Sequence, residues 1–308
     1  MQRLIVPKVA RTLAAVVVAV GVLVEAPALA ACPPEGQSLA SLQALKAARW
    51  QGPTPEADAA RPALALALLD CLANPDPVWR DEIAFEALQA WMRARVLDQA
   101  TVRQVQQRVG AILAAPPDAA GFAQPFAALV LAEVARVDRL QPFLQPAERD
   151  ALLRQSAAYL QGVRDYRAFD ARQGWRHGVA HGADGLLQWS LNPALGRDQA
   201  DVLLAAIARQ VAPADGHAWQ HGEPDRLMAP VFYLARRPLL SATDWQGWFD
   251  ALLAGRAPAT PVNAVALAQR HNLGMFLNSL YVAIAESTDA ALRERLMPGL
   301  RQAIKRLD

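Results

Sequence analysis

Apolar residues recur at helical spacing along almost the whole chain, and no segment alternates apolar and polar positions long enough to predict a strand. Proline and glycine interrupt the helical pattern at short intervals. The pattern predicts helices at 38–49, 62–73, 77–97, 100–114, 123–137, 147–167, 175–190, 198–211, 224–235, 242–253, 262–285 and 289–306. The sequence therefore predicts an all-α protein.

Several of these helices have recognisable start signals. Asp76 precedes Pro77, which is the favoured order of an N-cap and a first helical residue. Ser241 and Asp244 resemble a capping box in which aspartate replaces glutamate. These local signals support the predicted boundaries independently of the apolar pattern.

The short breaks between helices predict antiparallel hairpins, which recur at roughly 40–50 residues, near the period of HEAT-type repeats. We predict that residues 32–308 form a single helical-repeat domain. Its hairpins stack as a HEAT/armadillo-like α/α superhelix, and a compact α/α toroid is the alternative. If 175–190, 224–235 and 262–285 each pair with the helix that follows, these three share one layer, at about 8–10 Å between neighbours.

Composition supports helix and argues against one class of partner. Alanine and leucine are abundant, and both are strong helix formers. The net charge is +2, and removal of residues 1–31 leaves 28 positively and 28 negatively charged residues. A nearly neutral chain without a basic stripe is a poor nucleic-acid binder.

Residues 1–31 have the three parts of a secretion signal. Arg3, Lys8 and Arg11 precede an apolar stretch at 12–24, and Ala28-Leu29-Ala30 gives a small-x-small cleavage pattern. The apolar stretch is too short to span a bilayer comfortably. We predict a periplasmic or secreted protein cleaved near Ala30-Ala31, with no transmembrane span in the mature chain.

The two cysteines, Cys32 and Cys71, leave two alternatives open. An even cysteine count in an exported protein fits a Cys32–Cys71 disulfide. The run 29–32 also has the form of a bacterial lipobox, in which Cys32 carries a lipid anchor. Glu25 and Pro27, which separate the apolar stretch from the cysteine, favour the disulfide and a soluble product.

All five histidines lie between residues 177 and 271. His177 and His181 are four residues apart and Asp184 follows, so a helix over 175–190 presents all three on one stripe. Two imidazoles and a carboxylate are a partial ligand set for a divalent metal such as zinc. The alternatives are histidines hydrogen-bonded within a helix interface, and metal-free acid–base or ligand-binding use.

The same helix carries an unusual row of glycines. Gly178, Gly182 and Gly185 form the stripe next to the histidines, and each interior glycine costs about 0.5–1 kcal/mol relative to alanine. The row predicts close approach by a neighbouring helix or loop. Trp175 and Trp189 flank the segment, and we interpret both as core or interface aromatics.

A second histidine pair, His217 and His221, lies between Gly216 and Gly222, and the glycines predict a loop. If this loop and the motif helix belong to adjacent repeats, His217 or His221 can complete a site with the first pair. His271 lies a further repeat away, and we place it outside this site.

The segment Gly174-Trp175-x-His177-x-x-Ala180-His181-x-Ala183-Asp184 resembles the bacterial family catalogued as domain of unknown function 2785. The resemblance implies an all-helical fold of repeat type and marks Trp175, His177, His181 and Asp184 as the motif residues. It implies the fold more than an activity.

Two functional hypotheses follow from these observations. The first is a binding or scaffold module for a protein or small-molecule partner, with a surface lined by histidine and aspartate. The second is a metal-dependent hydrolase in which His177, His181 and Asp184 hold the metal and His217 or His221 completes the set. Bound metal distinguishes the two.

Overall fold

The computed structural model describes residues 32–254 and 263–307. The helices within them are α1 (Leu39–Ala47), α2 (Pro55–Ala59), α3 (Arg61–Leu68), α4 (Glu86–Ala94), α5 (Gln99–Ala114), α6 (Ala123–Leu140), α7 (Pro146–Gly162), α8 (Gly178–Ser190), α9 (Arg197–Val211), α10 (Glu223–Ala235), α11 (Ala242–Leu253), α12 (Ala264–Ala285) and α13 (Ala290–Lys305). The prediction of a mostly helical chain is confirmed. The predicted secretion signal and its cleavage site lie outside the described residues.

The first quarter of the fold is less regular than the pattern predicts. Helix α3 continues as a 3-10 segment at Leu69–Ala73, and the predicted helix 77–97 begins as a π-helical segment at Val78–Phe85 before α4. The short helix α2 was not predicted, although the Thr54 side chain caps its start by accepting from the Ala57 N–H. Periodicity alone does not separate 3-10, α and π turns.

The helices form two layers. Helices α4, α6, α8, α10 and α12 pack side by side in chain order, and α5, α7 and α9 lie behind them. The predicted sharing of one layer by α8, α10 and α12 is therefore confirmed. The predicted hairpin partners are wrong in part, because α8 packs more closely against α7, the helix before it, than against α9, the helix after it, and α11 packs against α13.

A short strand pair interrupts the helices just before α8, where the sequence predicted none. Strands β1 (Phe169–Asp170) and β2 (Gly174–Trp175) pair antiparallel, with Phe169 opposite Trp175. The predicted helix 147–167 ends at Gly162, and the predicted helix 175–190 begins only at Gly178. The Arg176 N–H donates to the Ala168 carbonyl at 2.8 Å, so this backbone pairs across the hairpin and not along a helix.

Close packing against α7 explains two of the three glycines in the row along α8. A Cβ built on Gly182 would lie 3.0 Å from Leu160 Cδ1, and one on Gly178 would lie 3.1 Å from the Tyr159 hydroxyl. Helix α7 therefore grips this face, as the sequence predicted. A Cβ on Gly185 meets nothing within 4 Å, so the same explanation does not extend to it.

The predicted disulfide between Cys32 and Cys71 is present, with a Cα–Cα distance of 5.1 Å. It ties the start of the described chain to the 3-10 segment that follows α3. None of the helices in 32–254 and 263–307 combines the length and apolar character needed to cross a bilayer.

Candidate functional site

The hairpin between α7 and α8 presents two aromatic rings to solvent. Phe169 is 56% exposed and Trp175 is 38% exposed, and their ring centroids lie 5.0 Å apart. We call residues 169–175 the aromatic hairpin. Its turn is fixed by Asp170, whose side chain accepts from the N–H groups of Arg172 and Gln173. Of the two roles predicted for Trp175, core or interface aromatic, its exposure excludes the core, whereas Trp189 is buried and donates to the Ser156 hydroxyl.

Two buried arginines hold the hairpin from below. Arg80 has no exposed surface and donates to the Gln173 carbonyl at 2.7 Å. Arg176 donates to the Ala120 carbonyl at 2.7 Å and to the Gln173 side chain at 2.6 Å. Both guanidinium groups stack on the Phe122 ring, at 3.9 and 4.3 Å from its centroid. The exposed rings therefore stand on a rigid base.

His177 lies at the junction of the hairpin and α8. Its φ of 54° is left-handed, and its position is the N-cap of α8. The ring stacks on Trp175 with a centroid distance of 4.5 Å and an interplanar angle of 25°. Its Nε2 lies 3.5 Å from Glu223 Oε1 without hydrogen-bond geometry. A residue that the sequence placed inside the helix is thus the pivot between two elements.

His181 lies one turn into α8 and is buried. Its ring meets Phe126 edge to face at 5.1 Å and lies 6.1 Å from the His177 ring. Burial lowers the pKa of His181 to about 3, and the positive charges of His177 and Arg226 contribute to the fall. His181 is therefore neutral at physiological pH, with Nδ1 lacking a hydrogen-bond partner.

Asp184 pairs across two helices. It accepts from the Arg226 guanidinium of α10, with Nε at 2.9 Å from Oδ1 and a second contact at Oδ2. Burial raises the pKa of Asp184, while Arg226 opposes the rise and the nearby charge of Glu133 adds to it. Glu133 on α6 forms a similar pair with Arg93 on α4, at 2.5 Å. The layer that contains α4, α6, α8 and α10 thus carries a row of two acids flanked by two arginines.

The predicted loop around the second histidine pair is confirmed, and its two rings separate. His217 packs against Tyr166 at 4.9 Å, whereas the exposed His221 meets the edge of Trp175 at 5.6 Å. Asn272 on α12 clamps the loop, because it accepts from the Trp219 N–H at 2.9 Å and donates to the His217 carbonyl at 2.8 Å.

Glu223, the first residue of α10, connects the two pairs. It faces His177 Nε2 with one oxygen and accepts from the His221 N–H with the other, at 2.9 Å. Burial by itself raises the pKa of this carboxyl, but His177 and the backbone N–H groups outweigh burial, and the pKa lies below its usual range. A buried, ionised carboxylate therefore sits between the two histidine segments.

The five residues proposed as metal ligands do not converge on one point. His177, His181 and Asp184 neighbour one another, but Asp184 is paired with Arg226, and His217 faces away toward Tyr166. Among the residues that the structure describes, no group of three or more His, Cys, Asp or Glu side chains is arranged to hold a metal ion.

Several residues that build the site carry no local signal of their role. Arg80, Arg176, Arg226, Glu133 and Asn272 act through partners 40 or more residues away. Glu223 follows the second histidine pair in the sequence, and nothing local predicts its contact with His177. The placement of His271 outside the site agrees with its exposed position on α12, although its neighbour Asn272 reaches the loop.

The cavities of the described chain lie at different distances from the motif. A cavity of about 820 Å³ lies between α1 and α3 and is lined in part by Trp50, Leu64 and Ala44. Another, of about 550 Å³, is lined in part by Tyr159 and by Gly178 at the start of α8. The space beside His177 and Glu223 measures about 10 Å³, whereas small-molecule sites typically measure about 300–1,000 Å³. The space directly beside His177 and Glu223 is therefore too small for such a ligand, whereas the cavity at Gly178 is within the usual size range.

Comparison with known proteins returned one match. A family model described as "Protein of unknown function (DUF2785)" matches residues 88–282, which include the aromatic hairpin, both histidine pairs and most of α12. No curated protein and no solved structure gave a significant match.

Proposed function

This chain belongs to the DUF2785 family, and from that premise we propose that it is an exported binding protein that engages a partner protein through the aromatic hairpin. One observation carries the proposal: Trp175 and Phe169 are exposed while the backbone beneath them is fixed by buried arginines. Rigid aromatic rings contribute large contact area at little entropic cost, and tryptophan is enriched among binding hot spots.

The charged row beside the hairpin supports the same use. The Arg226 and Arg93 side chains are 42% and 49% exposed, although each is paired with an acid. Arginine is the other residue enriched at hot spots, and paired arginines keep their guanidinium planes in a defined orientation. The surface therefore offers an aromatic anchor and oriented donors.

We also propose that the two layers form an open superhelical array of the HEAT/armadillo type. Side-by-side packing of α4, α6, α8, α10 and α12 makes one continuous surface, which is how repeat arrays present a binding face. Within the described chain, α1 to α3 pack on neither α12 nor α13 extensively, which an open array explains better than a closed toroid.

Export is proposed from the leader pattern together with the disulfide. Disulfides persist mainly in oxidising compartments such as the periplasm. The Cys32 sulfur is bonded to Cys71, and a sulfur in a disulfide cannot also carry a lipid thioether. This favours a soluble periplasmic or secreted product over a lipoprotein anchored through Cys32.

The binding proposal is tested by photocrosslinking in the cell. A photoreactive residue at position 169, with Trp175 retained, is expected to give a discrete protein adduct that disappears with Trp175→Ala. The same residue at Leu140, an exposed apolar position at the end of α6, is the matched control. Equal adducts from both positions, or an adduct that survives Trp175→Ala, would count against the aromatic hairpin as the binding surface.

A metal-dependent hydrolase is the second candidate, and a specific observation favours it. His177 Nε2 and His181 Nδ1 are both buried without a hydrogen-bond partner, and their rings lie 6.1 Å apart. A zinc ion coordinated by these two nitrogens would give both a partner, and Asp184, His217 or His221 would move to become further ligands. This candidate requires the Asp184–Arg226 pair to open or the loop to move.

Metal analysis separates the candidates. Untagged protein is incubated with zinc, and bound metal is measured by mass spectrometry beside a His177→Ala/His181→Ala variant. Near-stoichiometric metal that the variant loses while remaining helical by circular dichroism supports the hydrolase. No metal in the unmodified protein would remove that candidate and leave the binding proposal standing.

A further inference from the structure

Helix α12 is apolar on all sides and yet leaves one side uncovered. Leu267, Met275 and Val282 are 59%, 47% and 59% exposed. Val265 also lies on this helix, so α12 contributes four of the eight large apolar side chains that are exposed in the described chain. Its opposite side packs against α10 and α13. A helix that is hydrophobic all round is normally buried on all sides.

Along the exposed side of α12, similar residue types occur in the same order from either end of the helix. We define the α12 seam as Leu267, His271, Gly274, Met275, Asn278 and Val282, which recur at steps of three and four residues apart from the adjacent pair Gly274 and Met275. Its midpoint lies between Gly274 and Met275. About that midpoint Leu267 mirrors Val282 and His271 mirrors Asn278, and Ala264 mirrors Ala285 at the helix ends.

We propose that the α12 seam is a homodimer interface in which two copies of α12 pack antiparallel about a two-fold axis at Gly274–Met275. A two-fold contact requires a self-complementary surface. In this arrangement Leu267 meets Val282 of the partner subunit at both ends. His271 meets Asn278 of the partner subunit, so a ring nitrogen and an amide group face each other within hydrogen-bonding reach twice.

Gly274 gives independent support for a close neighbour. A glycine inside a helix costs about 1 kcal/mol relative to alanine. A Cβ built at Gly274 meets nothing within 4 Å, so no residue in the described part of the protomer accounts for the missing side chain. At the two-fold axis the reason is plain, because a small residue lets the helix axes approach to the lower end of the usual 8–10 Å.

Charge and area set the strength of the contact. The seam carries no aspartate, glutamate, lysine or arginine, so two copies meet without like-charge repulsion. A 22-residue helix is about 33 Å long and presents a face about 10 Å wide. Two such faces bury roughly 600–800 Å², below the 1,200–2,000 Å² typical of stable complexes. We therefore expect a weak and reversible dimer.

Cysteine crosslinking tests the register of the seam. The only two native cysteines form the disulfide, so an introduced cysteine is the sole free thiol. Met275→Cys is expected to give a covalent dimer on mild oxidation. Leu267→Cys alone is not, because the two copies of position 267 lie about 22 Å apart along antiparallel helices. Leu267→Cys mixed with Val282→Cys is expected to give the heterodimer. Self-linking of Leu267→Cys would indicate parallel packing and overturn the proposal.

Sedimentation tests the association itself with a matched variant. The unmodified protein is expected to shift from monomer to dimer as its concentration rises from about 1 to 200 μM, a range over which weak complexes form. Met275→Arg is expected to remain monomeric with unchanged helicity. Val96→Arg, at an exposed apolar site outside α12, is expected to dimerise normally. A monomer at the highest concentration, or equal loss in both variants, would refute the seam.

Discussion

The two histidine pairs have the same spacing and very different surroundings. His177 and His181 are enclosed between Trp175, Phe126 and Glu223, and the His181 N–H donates to the His177 carbonyl at 3.0 Å in the first turn of α8. His217 and His221 lie on a loop, where one ring meets Tyr166 and the other meets Trp175. Spacing defines a shared face only where the backbone is helical, so only the first pair is a structural unit.

The largest expected difference between the pairs comes from removing the same ring in each. His181→Ala leaves a cavity against Phe126 in a buried position, and we expect a loss of about 2–4 kcal/mol in the free energy of unfolding. His221→Ala removes an exposed ring, and we expect a change within about 0.5 kcal/mol. Urea unfolding at neutral pH measures both. Similar losses in the two variants would mean that the loop ring is as integral as the helix ring.

The second expected difference is in pH dependence. The pKa of His181 falls to about 3 in the folded chain because of burial, against about 6.5 when unfolded. Between these values the unfolded chain binds the extra proton, so the stability from neutral His181 is complete above about pH 6.5 and is lost progressively toward pH 3. At pH 5 the loss is about 2 kcal/mol.

A pair of variants isolates this effect from the titration of the carboxylates. His181→Gln is expected to be less stable than the unmodified protein at about pH 7.5 and to lose less stability on transfer to about pH 5. His221→Gln is expected to keep the full dependence, because it leaves the buried His181 ring in place. Equal slopes in the unmodified protein and His181→Gln would assign the dependence elsewhere.

The helical part of the fold was predictable because its signals are local. The capping box at Ser241 and Asp244 starts α11, and the apolar period alone located α12 and α13 to within two residues. The helix prediction was wrong for residues 163–177, because contacts with residues distant in the sequence determine their conformation. Arg80 binds the Gln173 carbonyl across 93 residues, and no local pattern contains that contact.

The motif residues of the site were predictable, but their arrangement and their partners were not. Clustering of histidine, tryptophan and aspartate singled out the motif. Their partners are set by helix packing, however, since Arg226 reaches Asp184 across 42 residues and Asn272 reaches Trp219 across 53. The left-handed φ of 54° at His177 also has no sequence signal, because it arises where the hairpin turns into α8.

A smaller effect on stability is expected from replacing the glycines of α8, two of which let α7 pack closely against this helix. A Cβ at Gly182 would lie within 3.0 Å of Leu160 and 3.2 Å of Tyr159, so Gly182→Ala should cost about 1–3 kcal/mol through overpacking. Gly185→Ala meets nothing within 4 Å and should stabilise by about 0.5–1 kcal/mol through helix propensity. Thermal unfolding compares them, and stabilisation by both changes would show that α7 does not grip α8.

The smallest effect is expected where the two pairs meet, at Glu223. Its Oε1 lies 3.5 Å from His177 Nε2, and its Oε2 accepts from the His221 N–H at 2.9 Å. Glu223→Gln keeps the shape and one acceptor but removes the charge, so we expect a loss of about 1 kcal/mol. Asp225→Asn, at the exposed neighbouring acid, should change stability by less than about 0.5 kcal/mol.

A double-mutant cycle then decides whether Glu223 acts through the first pair or through general charge. Glu223→Gln combined with His177→Gln should show a coupling of about 0.5–1 kcal/mol, because the two groups are in contact. The cycle with His217→Gln should show almost none, because that ring packs against Tyr166 and Trp219. Equal coupling in both cycles would mean that Glu223 senses the net charge of the surface. The two histidine pairs would then differ only in burial, because Glu223 would have no specific interaction with His177.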